Sequence, residues 1–255
     1  MSKKKKLIIV LVFAILLCSI LLIFTLKDFY KISDRTAKVS ENIKKNEYPV
    51  LGWIKVQGTN IDYPVIYSKN VNINNIDVDY SFAWRNYNED NSKNRLVLLG
   101  HNIRNISSNP LINQKEFNDF ENLPSFLYYD FVKDNKYIQY SDEKNNYLYK
   151  IYSVYTLQDE TVNYNELLDE ESKEYYINES LKNSIYKFDV DVNKQDKLIS
   201  LVTCTRFFGP MSSSIVVDAR MVRKNEKIRN YEVKKNKNYK EIEKIMKGDD
   251  TNEKA

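Results

Sequence analysis

The sequence is short of the side chains that most often carry chemistry. Its 255 residues include one histidine, His101, and two cysteines, Cys18 and Cys204. Zinc sites draw three or four ligands, mostly from these two residue types. A His/Cys metal centre is therefore nearly excluded, and the sequence implies no cofactor. The net charge of +4 is small for this length, which argues against a nucleic-acid partner.

Glycine and proline are also scarce, at five residues each, whereas tyrosine is abundant at 20 residues. Tyrosine is enriched in strands, so this composition favours β structure. Strand-like apolar runs lie at residues 53–56, 61–66, 95–99, 136–140, 147–155, 197–204 and 214–222. Helical patterns cover residues 111–123 and 164–185. Many short strands with a few inserted helices predict a mainly β fold, built as a mixed or closed barrel.

A long apolar run stands near the N-terminus. Residues 3–6 are all lysine, and residues 7–26 contain no charge, glycine or proline. Twenty helical residues span roughly 30 Å, the hydrocarbon thickness of a bilayer. The lysines before the run and Asp28 after it predict a single transmembrane anchor, with a cytoplasmic N-terminus and the rest of the chain outside the cell. A cleaved signal peptide is the alternative, but the run is long and residues 23–26 offer no small-residue cleavage site.

Five segments follow from this organisation. They are a basic cytoplasmic segment over residues 1–6, the anchor over 7–26, a stalk helix over 27–47, the main domain over 48–223 and a charged tail over 224–255. The tail is rich in Lys, Asn and Glu, which predicts disorder or a short helix.

Cys204 and His101 each end an apolar strand-like run. With Cys18 in the membrane, Cys204 is the one thiol outside, where oxidising conditions make an unpaired cysteine unusual. A nucleophilic thiol needs a neighbour that takes and returns a proton, and histidine suits both roles. If the chain has a Cys/His dyad, it is this pair. The alternative is that Cys204 packs as a small apolar side chain and that His101 is an ordinary turn residue.

Four segments of the main domain resemble motifs of the sortase family, and they occur in the family's order. They are residues 53–65, Gly100-His101-Asn102, residues 149–155 and Ser200-Leu201-Val202-Thr203-Cys204. The first resembles the opening of class B sortases in particular. In the last, Ser200 stands where the family signature has threonine. The resemblance covers about residues 48–223.

The resemblance implies an eight-stranded sortase-type β-barrel and a transpeptidation. The Cys204 thiolate would attack the carbonyl after a threonine in the C-terminal sorting signal of a surface protein, forming a thioacyl-enzyme. An amine, commonly from a peptidoglycan precursor, would then resolve it. His101 would protonate the leaving amine and deprotonate the incoming one, and Thr203 would shape the groove wall beside the thiol.

One family feature is missing. Sortases carry an arginine near the start of the strand after the cysteine, where it stabilises charge on the substrate, and Ser214 occupies that position here. Arg206 is the favoured substitute, because two residues beyond Cys204 on a continuing strand it would share a face with the thiol. Arg220 is less favoured, since it lies six residues past Ser214, roughly 20 Å along a strand. If neither arginine serves, the task falls to backbone N–H groups.

Three functions remain open at this stage. The leading interpretation is a class B enzyme that attaches proteins to the cell wall, with an Asn-Pro-x-Thr type of signal favoured over Leu-Pro-x-Thr-Gly. The second is a pilin-polymerising sortase, whose resolving amine is a lysine of another pilin subunit. The third, motivated by Ser214, is a sortase-like binding module with impaired catalysis.

Overall fold

A computed structural model of the chain describes residues 3–26, 29–45, 50–67, 83–85, 94–102, 120–158, 169–205 and 213–247. The helices are α1 (Lys3–Leu26), α2 (Thr36–Lys45), α3 (Tyr129–Val132), α4 (Glu170–Asn183) and α5 (Tyr239–Lys247), with a 3₁₀ turn over Leu123–Leu127. The strands are β1 (Val50–Val56), β2 (Asp62–Tyr67), β3 (Ala83–Arg85), β4 (Arg95–Leu99), β5 (Tyr137–Ser141), β6 (Asn146–Gln158), β7 (Tyr186–Phe188), β8 (Leu198–Thr205), β9 (Ser213–Met221) and β10 (Val233–Lys235).

The chain divides into two compact units, and the smaller one combines the N-terminal 31 residues with residues 225–230. Helix α1 belongs to it, and the backbone N–H of Phe29 donates to the carbonyl of Ile228 at 3.0 Å. Within the described parts of the chain, no helix is long and apolar enough to cross a membrane. The membrane anchor predicted over residues 7–26 is therefore not supported by the structure.

The larger unit contains an eight-stranded closed barrel in the order β1-β2-β3-β4-β8-β9-β6-β5. The β2–β3 and β4–β8 pairs are parallel and the other pairs are antiparallel. The barrel joins segments that are far apart in sequence, since β4 ends at Leu99 and its neighbour β8 begins only at Leu198. The predicted mainly β barrel with inserted helices is confirmed.

Local sequence explains where the first hairpin turns. The turn at residues 57–60 joins β1 to β2, and Gly58 adopts φ +75° there. A side chain at Gly58 would be strained by that angle and would also collide with the Asn135 side chain, 2.2 Å from a Cβ atom. Glycine is thus required at this turn for two separate reasons.

Helix α4 lies within the predicted helix over residues 164–185, and its sequence explains where it begins. The Asp169 side chain accepts from the N–H of Ser172 at 2.7 Å, and the Ser172 hydroxyl faces the Asp169 backbone, which together form a capping box. Ile177 on the inner face packs with Tyr152 of β6 and Leu198 of β8. The helix therefore covers the face of the sheet to which the side chains of Tyr152 and Leu198 point.

Helix α2 is shorter than the predicted stalk over residues 27–47. It is preceded by Asp34, whose side chain accepts from the N–H of Thr36 at 3.0 Å. Val39 is fully buried, and the Lys38 ammonium lies 4.9 Å from the centre of the Trp53 ring on β1. The helix is therefore packed against the barrel domain.

Much of the predicted tail is structured. Strand β10 pairs with β7, and α5 follows it, with Tyr239 and Ile242 both buried. The Tyr239 ring lies 5.3 Å from the ring of Tyr186. Apolar residues spaced along one face of α5 bury against the domain, so the short-helix alternative applies to residues 239–247. Residues 248–255 lie outside the described residues, as do residues 111–119 of the predicted helix over 111–123.

Candidate active site

Cys204 lies one residue before the end of β8, where the strand reaches the surface. Seven of the eight residues of β8 are buried, and Cys204 is the exposed one. On the antiparallel neighbour β9, Ser214 is its direct partner. Strand geometry thus holds the thiol rigidly while leaving it open to a ligand.

His101 lies two residues beyond the end of β4, at the same edge of the sheet. Strands β4 and β8 run parallel, and their last paired residues are Leu99 and Val202. His101 follows Leu99 by two residues, beyond the end of β4, and Cys204 follows Val202 by two residues on β8. Neighbouring strands lie about 4.8 Å apart. The segments that carry the two residues of the predicted dyad are therefore neighbours at this edge of the sheet.

Three contacts hold the segment that carries His101 against β8. The N–H of Gly100 donates to the carbonyl of Val202 at 3.1 Å, and the hydroxyl of Thr203 donates to the carbonyl of Gly100 at 2.7 Å. The side-chain amide of Asn102 donates to the carbonyl of Cys204 at 3.0 Å. His101 is thus fixed by its neighbours on both sides. Thr203 is buried and acts here as a strap on Gly100.

The imidazole environment favours the neutral form of His101. The residue is exposed as a whole, yet enough protein surrounds its ring that burial lowers its pKa below the ordinary value of 6.5. A ring that is neutral at pH 7 can accept a proton from a thiol. The side chain is thus in the protonation state that activation of Cys204 requires.

An apolar surface lies beside the thiol on the same face of the sheet. Val202 precedes Cys204 by two residues and packs with Val97, Tyr155 and Val216. Leu99 and Leu157 are partly buried against this cluster. A partly exposed apolar floor next to a reactive group suits a peptide side chain as ligand.

Of the two candidate arginines, Arg220 belongs to the described residues, and it does not reach this site. Arg206 lies outside the described residues. Arg220 is paired with Leu198 at the far end of β8, six residues from Cys204, and is fully buried there. Its Nε donates to the carbonyl of Asp191 at 2.8 Å, and its Nη2 lies 3.3 Å from Asp191 Oδ1. The structure therefore does not bring Arg220 to the thiol, whereas Ser214 lies directly beside it.

A buried polar network, which sequence analysis did not identify, lies further along the same face. Arg95 donates to the hydroxyls of Ser200 and Tyr176 at 2.8 and 2.6 Å. The carboxylate of Asp218 accepts from Ser200, from Tyr176 at 2.8 Å and from Ser180 at 2.6 Å. Arg95 and Asp218 are 6% and 1% exposed, so each charge depends on these partners. The network ties α4 to β4, β8 and β9.

Sequence signals for these additional residues did exist. Asp218 interrupts the apolar run of β9, and a charge at that place in a buried strand needs a partner. Asn102 stands directly after the histidine.

Among the described residues, no three His, Cys, Asp or Glu side chains come close enough together to hold a metal ion.

The glycine before His101 is required by close packing. A Cβ atom at Gly100 would lie 2.4 Å from Cγ of Phe120, which is fully buried. We therefore expect Gly100→Ala to lower the free energy of unfolding by about 1–3 kcal/mol, as measured by urea denaturation. Phe120→Leu combined with Gly100→Ala should recover part of this loss, because the smaller side chain leaves space. Wild-type stability in Gly100→Ala would contradict the packing argument.

Comparison with known proteins places this geometry in a family. The family model described as "Sortase domain" matches residues 54–222. The chain belongs to the sortase family. Among curated proteins, it is 23% identical to sortase B of Staphylococcus aureus over 189 residues, which cover 72% of this chain and 74% of that one. It is 27% identical to sortase B of Listeria monocytogenes over 191 residues, with the same coverage.

Solved structures of sortase B show the same fold. The S. aureus sortase B–substrate complex has a TM-score of 0.59 at 21% identity, over 74% of this chain and 86% of that one. The Clostridium perfringens sortase B structure has a TM-score of 0.55 at 26% identity, over 72% and 100%. The predicted membership of the sortase family, with class B relatives, is confirmed. Sortases are cysteine transpeptidases, and this chain is assigned to that class of enzyme at the level of the family.

Proposed function

We propose that this sortase cleaves a C-terminal sorting signal through Cys204 and His101 and transfers the new carboxyl end to an amine of the cell wall. The observation that supports the proposal is the parallel β4–β8 register, whose last pair, Leu99 and Val202, lies two residues before His101 and Cys204, with Cys204 the exposed residue of an otherwise buried strand. The two residues are of complementary chemistry, and both are exposed to a ligand.

The reaction follows from the chemistry of the pair. Neutral His101 takes the thiol proton, and the Cys204 sulfur bonds to the carbonyl carbon of the scissile peptide. As the carbon–nitrogen bond breaks, the imidazolium returns the proton to the leaving amine. An incoming amine then attacks the thioester, gives a proton to His101 and releases the sulfur as thiolate. The number of protons is unchanged over the whole cycle.

Charge on the carbonyl oxygen needs a donor. We keep Arg206 as the proposed donor, because it lies two residues beyond Cys204 in the sequence and Arg220 is held by Asp191 at the other end of the sheet. The hydroxyl of Ser214 is the second group that we assign to the substrate, since Ser214 is the strand partner of Cys204.

The proposed partners are surface proteins that carry the signal and a peptidoglycan precursor amine. One related sortase B has been solved in complex with triglycine, and a short glycine peptide is therefore the first amine to test on this chain. We also propose that the enzyme acts at the outer face of the cell membrane, a location supported by the lysine and apolar runs of residues 3–26 alone. Protease treatment of intact cells should remove the domain if that location is right.

The decisive experiment measures cleavage and transfer together. The purified chain is incubated with fluorogenic Asn-Pro-x-Thr and Leu-Pro-x-Thr-Gly peptides, with and without triglycine, beside Cys204→Ala and Arg206→Ala. We expect cleavage in the wild type, a triglycine-linked product by mass spectrometry, and none of either in Cys204→Ala. If the wild type never exceeds Cys204→Ala, the proposed transpeptidation is wrong. If Arg206→Ala matches the wild type, the arginine assignment is wrong.

A further inference from the structure

A basic groove lies between the end of strand β6, the end of helix α4 and helix α5. Its volume is about 1010 Å³. The charged side chains that line it are four lysines and one glutamate: Lys182, Lys237, Lys240, Lys244 and Glu241. Lys182 is paired with Glu179 at 3.1 Å, whereas none of the described carboxylates forms an ion pair with Lys237, Lys240 or Lys244. The groove therefore holds an excess of positive charge, which suits an acidic ligand.

Helix α5 contributes much of this charge. Lys240 and Lys244 are one helical turn apart, and like charges at this spacing destabilise a helix slightly. Both lysines are exposed, and they lie beyond residue 222, where the match to the sortase domain ends. The charge is thus a feature of the segment that follows the barrel, and an acidic ligand would offset the repulsion within it.

Leu157 connects the groove to the active site. It lines the groove and also packs against the apolar cluster beside Cys204. Ser214 is paired with Leu157 on β6 and with Cys204 on β8, so the three residues form one row across the sheet. Side chains in such a row point to the same face. The distance from β8 to β6 is two strand spacings, roughly 10 Å. The groove therefore begins within reach of a short peptide bound at the thiol.

The order of the strands decides which part of a substrate reaches the groove. The strands follow one another as β4-β8-β9-β6, so the segment that carries His101 and the groove lie on opposite sides of Cys204. In the proposed function, His101 protonates the leaving amine, so the residues after the cleaved bond lie toward β4. The residues before this bond then extend toward β9 and β6. Four extended residues span roughly 13 Å, and the groove therefore meets the residues just upstream of a four-residue signal.

The edge of β6 offers main-chain hydrogen bonds to an extended peptide. The backbone groups of Val154 point away from β9, since its N–H donates to the hydroxyl of Ser184 at 3.2 Å and its carbonyl accepts from the N–H of Ile185 at 2.8 Å. Thr156 is two residues further along the strand, so its N–H and carbonyl point in the same direction. Thr156 lines the groove, and no described residue bonds to these two groups. Such an edge binds extended peptides, which favours a peptide over a small anion as the ligand.

We propose that the groove binds acidic residues of the surface protein that directly precede its sorting signal. This inference rests on the proposed function. The signal itself crosses the apolar surface from Cys204 to Leu157, and the acidic side chains upstream of it pair with Lys240 and Lys244. The groove adds affinity without touching the reacting atoms, so it selects among proteins that carry the same signal.

Binding of matched labelled peptides to Cys204→Ala tests the proposal. The first peptide has glutamates directly before the Asn-Pro-x-Thr signal, the second has glutamines there, and the third has the glutamates after the cleaved bond. We expect the first to bind about fivefold more tightly than the other two in fluorescence anisotropy, because two exposed ion pairs each contribute about a factor of two. Lys240→Gln combined with Lys244→Gln should reduce this preference to less than about twofold, and a high salt concentration should weaken it in the same way.

A charge-matched control is available elsewhere on the surface. Lys44→Gln combined with Lys144→Gln removes two exposed lysines that do not line the groove and should leave the preference intact. Equal affinity for the first and second peptides would contradict the proposal, as would a preference that the control variant loses or that the third peptide shares. In the active chain, the preference should lie in KM and not in kcat. A wild type that binds the first peptide more tightly but cleaves none of them overturns the proposed function instead.

Discussion

Replacing His101 with glutamine is expected to lower kcat/KM for peptide cleavage by about two to four orders of magnitude, the range that general acid–base groups contribute. Glutamine has a similar size and can form hydrogen bonds, but it cannot carry a proton between the thiol and the leaving amine. The melting temperature of the His101→Gln variant should match that of the wild type, because His101 is exposed. Cys204→Ala sets the zero of the assay, and activity of His101→Gln within tenfold of the wild type would contradict the dyad.

The pH profile of the same two proteins gives an independent check. Burial lowers the pKa of His101 from 6.5, so the ring remains neutral as the pH falls to this value and is protonated only below it. If neutral His101 is the base, wild-type kcat/KM should persist down to about pH 6.5 and decline at lower pH. His101→Gln should lack the part of that decline that is due to the imidazole. A wild-type rate that increases below pH 6.5 would show that the imidazolium is the active form.

Replacing Asp218 with alanine is expected to lower the free energy of unfolding by about 3–5 kcal/mol, because it removes a buried carboxylate that accepts from three hydroxyls and is linked to the buried Arg95 guanidinium through two of them. The Asp218 carboxylate accepts from the hydroxyls of Ser200, Tyr176 and Ser180. The hydroxyls of Ser200 and Tyr176 also accept from the Arg95 guanidinium. Urea denaturation of the purified variant measures the loss. An exposed pair offers the control: Asp130→Ala breaks its ion pair with Lys133 at the surface and should leave the midpoint nearly unchanged.

A double variant distinguishes a buried charge pair from general core disruption. Arg95→Met with Asp218→Leu removes both charges together, so no unpaired ion remains. Its loss of stability should be smaller than the sum of the two single losses, because the residues act through one network. Strictly additive losses would show that Arg95 and Asp218 do not depend on each other.

The fold was largely predictable because its strands are apolar runs bounded by polar turns. The runs at 95–99 and 197–204 became strands with nearly the expected ends, and the run at 53–56 is the second part of β1, which begins at Val50. Short elements without a clear period were missed, including β7 and β10, which exist because they pair with each other. Their stability comes from a contact between segments about 45 residues apart, which no local pattern of apolar residues reveals.

The residues of the candidate site were predictable from the sequence only where their residue type is scarce, as histidine and cysteine are here. One histidine and one cysteine outside the N-terminal run left a single possible pair, and the β4–β8 register agrees with it. The Asn102 amide and the Arg95–Asp218 network could not be assigned in the same way, because asparagine and charged residues are abundant in the chain. Their roles depend on which side chains meet across neighbouring strands.

The parallel pairing of β4 with β8 also governs when reactivity can arise during folding. His101 and Cys204 are about a hundred residues apart, and contacts of this sequence separation form late because a long loop must first be closed. During synthesis, His101 has already left the ribosome before Cys204 is added to the chain. The proposed dyad is therefore incomplete until β4 and β8 have paired, and an incomplete chain has no means of activating the thiol by this route.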